Sequence, residues 1–202
     1  MKKILLPLIA LISFAYANAQ SKEKGTFEIT PKIGYSIFNE NNENNNTHSI
    51  SAVSFGATAD YYFNNRWSLR SGLSFDKMGG TYDAGEGTLE DKLNYLSIPL
   101  NANWHFGSTR KWNLNFGFSP SFLLNAEVSD TAGHSMEIPS SIIESFQLGF
   151  TYGIGYKIEV NEKFGILLDW QGFAGLTNIN KANSSDIKNS GSSFNVGGVI
   201  QL

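Results

Sequence analysis

The chain has 202 residues, a formal net charge of −3 and no cysteine. This length suits one β domain, and only 16% of the residues are charged, against roughly 25% in typical soluble domains. The sequence has no basic block that would attract nucleic acid, and without cysteine the fold does not rely on disulfides.

The N-terminus has the three parts of a secretory signal peptide. A positively charged start with Lys2 and Lys3 precedes an apolar stretch, Ile4 to Phe14, and Ala17-Asn18-Ala19 then fits a small-residue cleavage motif. The apolar stretch is too short for a transmembrane helix, although an uncleaved N-terminal anchor is the alternative interpretation. Because Gln20 stands where a lipoprotein needs cysteine, we predict plain export with cleavage after Ala19.

After a short segment over residues 20–25, predicted to be periplasmic, apolar and polar side chains alternate throughout residues 26–202. The pattern is clearest over residues 96–106, where every second residue is apolar or aromatic. A period of two indicates a β-strand with one apolar face and one polar face. The pattern predicts eight strands, over residues 26–38, 50–63, 67–78, 93–106, 112–126, 145–160, 164–177 and 191–202.

Short turns and long loops alternate strictly between these predicted strands. The long loops are predicted over residues 39–49, 79–92, 127–144 and 178–190. The apolar face is bulky and aromatic in every strand, and this set is too large for the interior of an eight-stranded barrel, whereas the small polar set fits there. We therefore predict an all-β, eight-stranded antiparallel up-and-down transmembrane β-barrel whose apolar face meets lipid.

The connections also predict an orientation. In barrels of this kind the N-terminus and the short turns are periplasmic and the long loops are extracellular. Trp67, Trp104, Trp112 and Phe164 all stand beside short turns, so we expect an aromatic girdle at one membrane interface. A soluble lipocalin-like binder is the alternative architecture.

Charged residues of nearly balanced sign fall on the predicted inner face, and they are Glu28, Lys32, Asp60, Arg70, Asp76, Lys157, Glu159 and Asp169. Isolated buried charges are costly, so we expect ion pairs that plug the interior rather than a proton or ion path. The short turns predict an inward ion pair between Asp60 and Arg70. They also set Gly155 opposite Asp169 and leave Lys157 within reach of Asp169.

Pro99 lies within the fourth predicted strand. Proline has no backbone N–H to donate to a sheet, and the usual accommodation is a bulge. We therefore predict a break in strand pairing over Ser97 to Pro99.

The stretch Tyr95 to Leu100 (YLSIPL), followed by Trp104-His105-Phe106, resembles the central motif of the PorT-like outer-membrane β-barrel family of Bacteroidota. Gly72 with the loop entry Lys77 to Gly80, and later Gly117 to Pro120, resemble further elements of that family. The resemblance covers the mature chain and implies an eight-stranded outer-membrane barrel, most members having no established activity. Unlike many outer-membrane barrels, this chain ends on Leu202 rather than on an aromatic residue.

No constellation of residues indicates catalysis. His48, His105 and His134 lie far apart in the predicted strands and loops, and no two have a metal-ligand spacing. His105 could meet Ser97 or another inward serine, as in a membrane-embedded lipid enzyme, but no motif supports this pairing. We therefore predict no catalytic, cofactor-binding or metal-binding residue and a non-enzymatic protein.

Two features of the predicted loops stand out. The acidic residues Asp83, Glu86, Glu90 and Asp91 lack the spacing of a calcium loop, so we expect them to be solvated or to bridge divalent cations with lipopolysaccharide. Asp130-Thr131-Ala132 resembles a short bacterial O-glycosylation acceptor centred on Thr131, although three residues often match by chance.

The expected role is structural or interactive, in the outer membrane. The expected partners are membrane lipid and lipopolysaccharide, the barrel assembly machinery and a protein partner at the loops, with no nucleic acid. The alternatives are a component of a protein secretion or uptake complex, a soluble lipocalin-like binder and a membrane-embedded lipid enzyme.

Overall fold

The structure, a computed structural model, describes residues 22–42, 47–85, 87–182 and 185–202. The predicted signal peptide lies outside these residues. Within them the chain is all-β and antiparallel, and no helix there is long and apolar enough to cross a membrane. The strands are β1 (Phe27–Asn42), β2 (Thr47–Tyr62), β3 (Trp67–Met78), β4 (Gly80–Ala84), β5 (Gly87–Ser97), β6 (Leu100–Phe106), β7 (Trp112–Asp130), β8 (Ser135–Glu137), β9 (Phe146–Glu159), β10 (Phe164–Gly175) and β11 (Ile187–Gln201).

The predicted count of eight strands is wrong, because the described residues form eleven. The short strands β4 and β8 lie in predicted loops, and one predicted strand is divided into β5 and β6. Several strands also continue well past their predicted ends. Hydrophobic alternation marks only the part of a strand with one apolar face, whereas backbone pairing continues where both faces are polar.

The division between β5 and β6 lies at Ile98 and Pro99, which confirms the predicted break. No bulge accompanies it, since β5 and β6 keep one register against β3. The Ile98 N–H still donates to the Pro120 carbonyl at 2.9 Å. A register shift against β7 lies instead between Asn94 and Tyr95. The break therefore reflects the donor that proline lacks.

Strand pairing runs through the whole sheet. β1 pairs with β2 and β11, and β10 pairs with β11 and β9. β7 pairs with β9 and with both β5 and β6, which in turn pair with β3, the neighbour of β2. The predicted registers of Asp60 opposite Arg70 and of Gly155 opposite Asp169 are confirmed.

The sheet has two ends and two faces. We call the end with the connections 63–66, 107–111 and 160–163 the short-turn end, and the opposite end the long-loop end. The outer face bears large exposed apolar side chains, among them Ile33, Val53, Phe55, Leu73, Leu100, Phe118, Phe194 and Val196. The inner face bears buried polar side chains, among them Thr30, Ser54, Asn101, Asn103, Asn115, Gln147 and Asn195.

Aromatic rings stack side by side on the outer face at the short-turn end. Successive ring centroids of Trp67, Trp104, Phe106, Trp112 and Tyr156 lie 6.3, 5.0, 6.3 and 4.8 Å apart. Three of the four predicted girdle residues therefore belong to one continuous row, and Phe164 is exposed beside the turn 160–163. Such rows contribute both buried area and ring–ring attraction.

Candidate functional site

One ionic cluster lies on the inner face near the short-turn end. The Glu28 carboxylate accepts hydrogen bonds from Lys157 Nζ at 2.9 and 3.0 Å and from the Tyr62 hydroxyl at 2.9 Å. Lys22, from the segment before β1, lies 2.9 Å from Glu28. Because β1 and β9 are not neighbours in the sheet, these bonds cross the interior. Lys157 therefore pairs with Glu28 and not with Asp169, which a register argument restricted to neighbouring strands had favoured.

A second ionic cluster joins β1, β2, β3 and β10. Arg70 Nε lies 3.1 Å from Asp60 Oδ2, which confirms the predicted ion pair. Asp169 lies between two cations, 3.8 Å from Arg70 and 3.6 Å from Lys32. The Asn103 amide donates to Asp60 at 2.9 Å. Arg70 thus holds two buried carboxylates from opposite sides of the interior.

The remaining predicted inner charges have partners near the two clusters. Asp76 accepts a hydrogen bond from Ser74 at 2.7 Å, and Glu159 lies 3.6 Å from Lys111. All eight charges predicted to face inward are buried or half-buried. The sequence analysis missed Lys22 and Lys111 because both lie outside the predicted strands, where alternation gives no direction.

His105 is the one histidine on the inner face among the described residues. Its Nε2 lies 3.0 Å from Ser68 Oγ, and the Ser68 hydroxyl also donates to Asp60 at 2.8 Å. A nucleophilic triad needs the histidine between serine and carboxylate, whereas here the serine stands between the other two. Ser97, the partner considered from sequence, accepts instead from Ser121. This arrangement therefore positions side chains rather than activating a nucleophile.

The other two histidines lie away from the His105, Ser68 and Asp60 side chains. His48 and His134 are exposed at the long-loop end, where His134 contacts Asp130 at 2.9 Å. Within the described ranges, no group of three or more His, Cys, Asp or Glu side chains could hold a metal ion. Thr131 is exposed in the turn between β7 and β8.

The inner face is polar near the short-turn end and becomes apolar towards the long-loop end. A cavity of about 70 Å³ lies beside Lys32, Arg70 and Gln171 on the inner face, which leaves room for a few water molecules. Towards the long-loop end follows a buried cluster of Phe38, Met78, Leu93, Tyr95, Ala126, Phe173 and Ile179. The prediction of a polar inner face is therefore correct near the short-turn end and wrong near the long-loop end.

A larger cavity lies beyond that buried cluster, and we call it the loop-end cavity. Its volume is about 290 Å³. Three carboxylates line it, those of Glu40 on β1, Asp91 on β5 and Glu137 on β8, together with Tyr82. Asp91 was predicted to be part of a solvated acidic loop, but this segment is the β4–β5 hairpin and Asp91 points inward.

Two carboxyl groups of the loop-end cavity, those of Glu40 and Asp91, have raised pKa values. Burial, reinforced by the charge of Asp91, raises the pKa of Glu40 to about 8. Burial alone raises the pKa of Asp91 to about 6. Ile37 is the last exposed apolar residue on the outer face of β1, so Glu40 lies outside the apolar band. Both groups therefore hold protons more tightly than ordinary carboxyls do.

We expect Glu40→Gln to stabilise the folded protein at pH 8.5 by about 2 kcal/mol or more, and to have little effect near pH 4. The folded-state pKa lies above the ordinary value of 4.5, so stability from this group is present below about pH 4.5 and is lost as pH rises through about 8. Urea unfolding in detergent at both pH values measures the change.

The matched control for this prediction is Glu90→Gln in the β4–β5 hairpin. Glu90 lies 3.6 Å from Lys92 and is partly exposed, so its replacement should leave stability nearly unchanged at either pH. Destabilisation of Glu40→Gln at pH 8.5 would contradict the interpretation that the buried carboxylate carries a penalty.

Comparison with known proteins gives one family. Residues 18–181 match the sequence model of the family described as outer membrane protein beta-barrel domain. No curated protein matches the sequence. Among solved structures, OprG of Pseudomonas aeruginosa is 12% identical, with coverage of 90% of this chain and 98% of that one and a TM-score of 0.51.

Two further solved structures match the chain over most of their length. The outer membrane protein AlkL, determined in DMPC bilayers, is 10% identical, with coverage of 92% of this chain and 94% of that one and a TM-score of 0.50. Ail of Yersinia pestis is 16% identical, with coverage of 89% and 99% and a TM-score of 0.47. At these identities the likeness concerns the fold alone.

Proposed function

Because the chain belongs to the family of outer membrane protein β-barrel domains, we propose that it is a non-enzymatic integral outer-membrane protein with a structural or interaction role. The proposed barrel leaves out the short strands β4 and β8 and counts β5 and β6, which lie end to end, as one of eight wall positions. The pairing of β11 with β1 supports its closure. The observation that carries the proposal is the outer face of exposed, bulky apolar side chains. In lipid such a face is buried, whereas in water it would be an aggregation hazard.

In this proposal the interior is a plug and not a channel. The bonds of Lys157 to Glu28 and of Arg70 to Asp169 join opposite sides of the interior. The apolar cluster around Leu93 and Tyr95 lies between these bonds and the long-loop end. Side chains that fill an eight-stranded barrel leave no open bore for solutes.

The proposal extends to the route and the surroundings of the protein. Export uses the signal peptide cleaved after Ala19, the barrel assembly machinery inserts the chain, and lipid and lipopolysaccharide surround it. The YLSIPL stretch over residues 95–100 supports placement in the PorT-like group of Bacteroidota. The long-loop end then faces outward and the short-turn end faces the periplasm.

A role as a component of a secretion or uptake complex is the second candidate. β8 and the segment after it expose apolar side chains away from the outer apolar band: Met136 in β8 is 71% exposed and Ile142 is 47% exposed. Exposed apolar residues outside a lipid-facing surface favour a protein partner. Co-purification of a stable partner that depends on Met136 and Ile142 would favour this candidate.

Single-cysteine labelling tests the proposed orientation, and the chain has no cysteine of its own to interfere. On intact cells, a membrane-impermeant maleimide should label Thr131→Cys at the long-loop end. It should label Glu162→Cys at the short-turn end only after the outer membrane is permeabilised. Both positions are exposed, so accessibility in the folded protein does not distinguish them.

The reverse labelling pattern would overturn the orientation. Recovery of the mature protein in the soluble periplasmic fraction without detergent would overturn membrane insertion and favour the lipocalin-like alternative. The uncleaved chain, detected by mass, would overturn the cleavage after Ala19.

A further inference from the structure

The loop-end cavity is lined by apolar side chains and by carboxyl groups. Five isoleucines line the cavity, and they are Ile138, Ile142, Ile143, Ile179 and Ile187. Glu40, Asp91 and Glu137 supply the carboxylates, and no Lys, Arg or His is among the described residues that line the cavity. The volume of about 290 Å³ is near the lower end of the range of small-molecule sites, about 300–1,000 Å³.

Neither Glu40 nor Asp91 forms an ion pair with a cation among the described residues. The Glu40 side chain is only 6% exposed, and its pKa is raised by burial and by the negative charge of Asp91, with no described cation to offset them. Asp91 Oδ1 is buried without a hydrogen-bond partner there. Burial of an unpaired carboxylate is costly, so such a group calls for a specific explanation.

Three other buried carboxylates, on the inner face, each have at least one cation within ion-pair distance. Glu28 has Lys157 and Lys22, Asp60 has Arg70, and Asp169 has both Arg70 and Lys32. Glu40 and Asp91 therefore depart from the pattern that the fold follows on its inner face. Both of them border the loop-end cavity.

We propose that the loop-end cavity binds a small organic cation, an alkylammonium group carried on a short apolar body. The ammonium donates hydrogen bonds to the carboxylates of Glu40 and Asp91, and the apolar body packs against the isoleucine walls. This assignment goes beyond the proposed function and does not depend on it, because binding concerns the purified protein and not its orientation in a membrane.

The chemistry of the walls selects this class of ligand. A hydrated metal ion would be placed against isoleucine side chains, and the carboxylates of Glu40, Asp91 and Glu137 do not form a group that could hold a metal ion among the described residues. A neutral apolar molecule would fill the space but leave Glu40 and Asp91 unpaired. An anionic amphiphile would be repelled by both. An ammonium group on an apolar body satisfies the two parts of the cavity together.

The protonation of the empty cavity agrees with this assignment. Burial raises the pKa of Glu40 to about 8 and that of Asp91 to about 6, so both carboxyls hold protons readily in the absence of a cation. The other titratable groups near them are Tyr82 on β4, Tyr95 on β5 and Glu137 on β8, and none of these supplies positive charge. Binding of an ammonium therefore releases protons and strengthens as pH rises from 6 to 8.5.

Titration calorimetry tests the inference on the full mature chain, refolded in a nonionic detergent, with n-pentylamine as the probe and empty micelles as the blank. The amine stays charged at pH 8.5, since alkylammonium groups titrate near the lysine value of about 10.4. We expect saturable one-to-one binding that is at least tenfold tighter than that of 1-pentanol, no binding of pentanoate, and at least tenfold weaker amine binding at pH 6 than at pH 8.5.

Substitutions locate the site. Glu40→Gln and Asp91→Asn should each weaken amine binding at least tenfold, whereas Glu90→Gln in the same hairpin should leave it unchanged. Heat-dependent gel mobility confirms that each variant is folded, and both acidic variants nearly conserve side-chain size. No saturable binding, equal binding of amine and alcohol, or an equal loss in Glu90→Gln would each overturn the inference.

Discussion

Arg70→Met is expected to destabilise the folded protein by about 3–5 kcal/mol, the usual cost of removing one partner from a buried ion pair. Arg70 contacts Asp60 at 3.1 Å and Asp169 at 3.8 Å, and all three side chains are buried. Methionine fills a similar volume but leaves both carboxylates without the guanidinium, and of the two only Asp169 keeps an ion pair with a described cation, Lys32. Urea unfolding in detergent, followed by tryptophan fluorescence, measures the loss.

Two controls separate the buried charge from a general effect of mutation. Lys163→Met removes an exposed cation in the turn 161–163 and should change stability by less than about 0.5 kcal/mol. The triple change Asp60→Asn, Arg70→Met and Asp169→Asn removes the uncompensated charges and should recover much of the stability lost in Arg70→Met. A triple variant no more stable than Arg70→Met alone would show that the ion pairs do not carry this effect.

Phe118→Arg is expected to destabilise the protein in lipid bilayers by about 2–4 kcal/mol, the cost of a lipid-facing arginine near the midplane of a membrane barrel. Phe118 stands on the outer face in the middle of β7, is 54% exposed and stacks edge-on with Phe150. An arginine there meets lipid tails where the proposed barrel crosses the membrane. Folding equilibria in phospholipid vesicles measure the change.

The matched control is Val160→Arg, also on an exposed apolar residue but beside a short turn. At that depth the penalty should fall to about 0–1 kcal/mol, because the side chain reaches the interface. If the two arginine variants were equally stable in vesicles, the outer face would not be lipid-facing. A soluble barrel would make the same two substitutions nearly neutral in water, since both side chains would then be solvated.

The alternation of apolar and polar side chains was enough to predict most of the strands and which side chains face inward. Residues 67–78 are predicted and observed as one strand with identical bounds. The eight inward charges and the register of Asp60 against Arg70 follow from period two and from three-residue turns, which are local properties of the chain. Even Pro99 acts locally, because the donor that it lacks belongs to its own backbone.

Two glycines of the family resemblance, Gly72 and Gly117, are explained by contacts between strands and not by the sequence near them. A side chain at Gly72 would lie 2.2 Å from the Ala57 carbonyl oxygen, and one at Gly117 would lie 2.1 Å from that of Leu100. The sequence shows that glycine is there, but the close approach of a neighbouring strand explains why. That approach depends on how strands far apart in the chain lie against each other.

The sequence by itself determined an all-β chain with an apolar outer face and a charged inner one, because both follow from the spacing of residue types along single strands. Only the tertiary structure decided the partners across the interior, such as Lys157 with Glu28 instead of Asp169, since facing strands share no register that a sequence can reveal. It also decided that Glu40 and Asp91 meet at one cavity. Burial sets the behaviour of those two carboxyls, and burial is a property of the assembled fold.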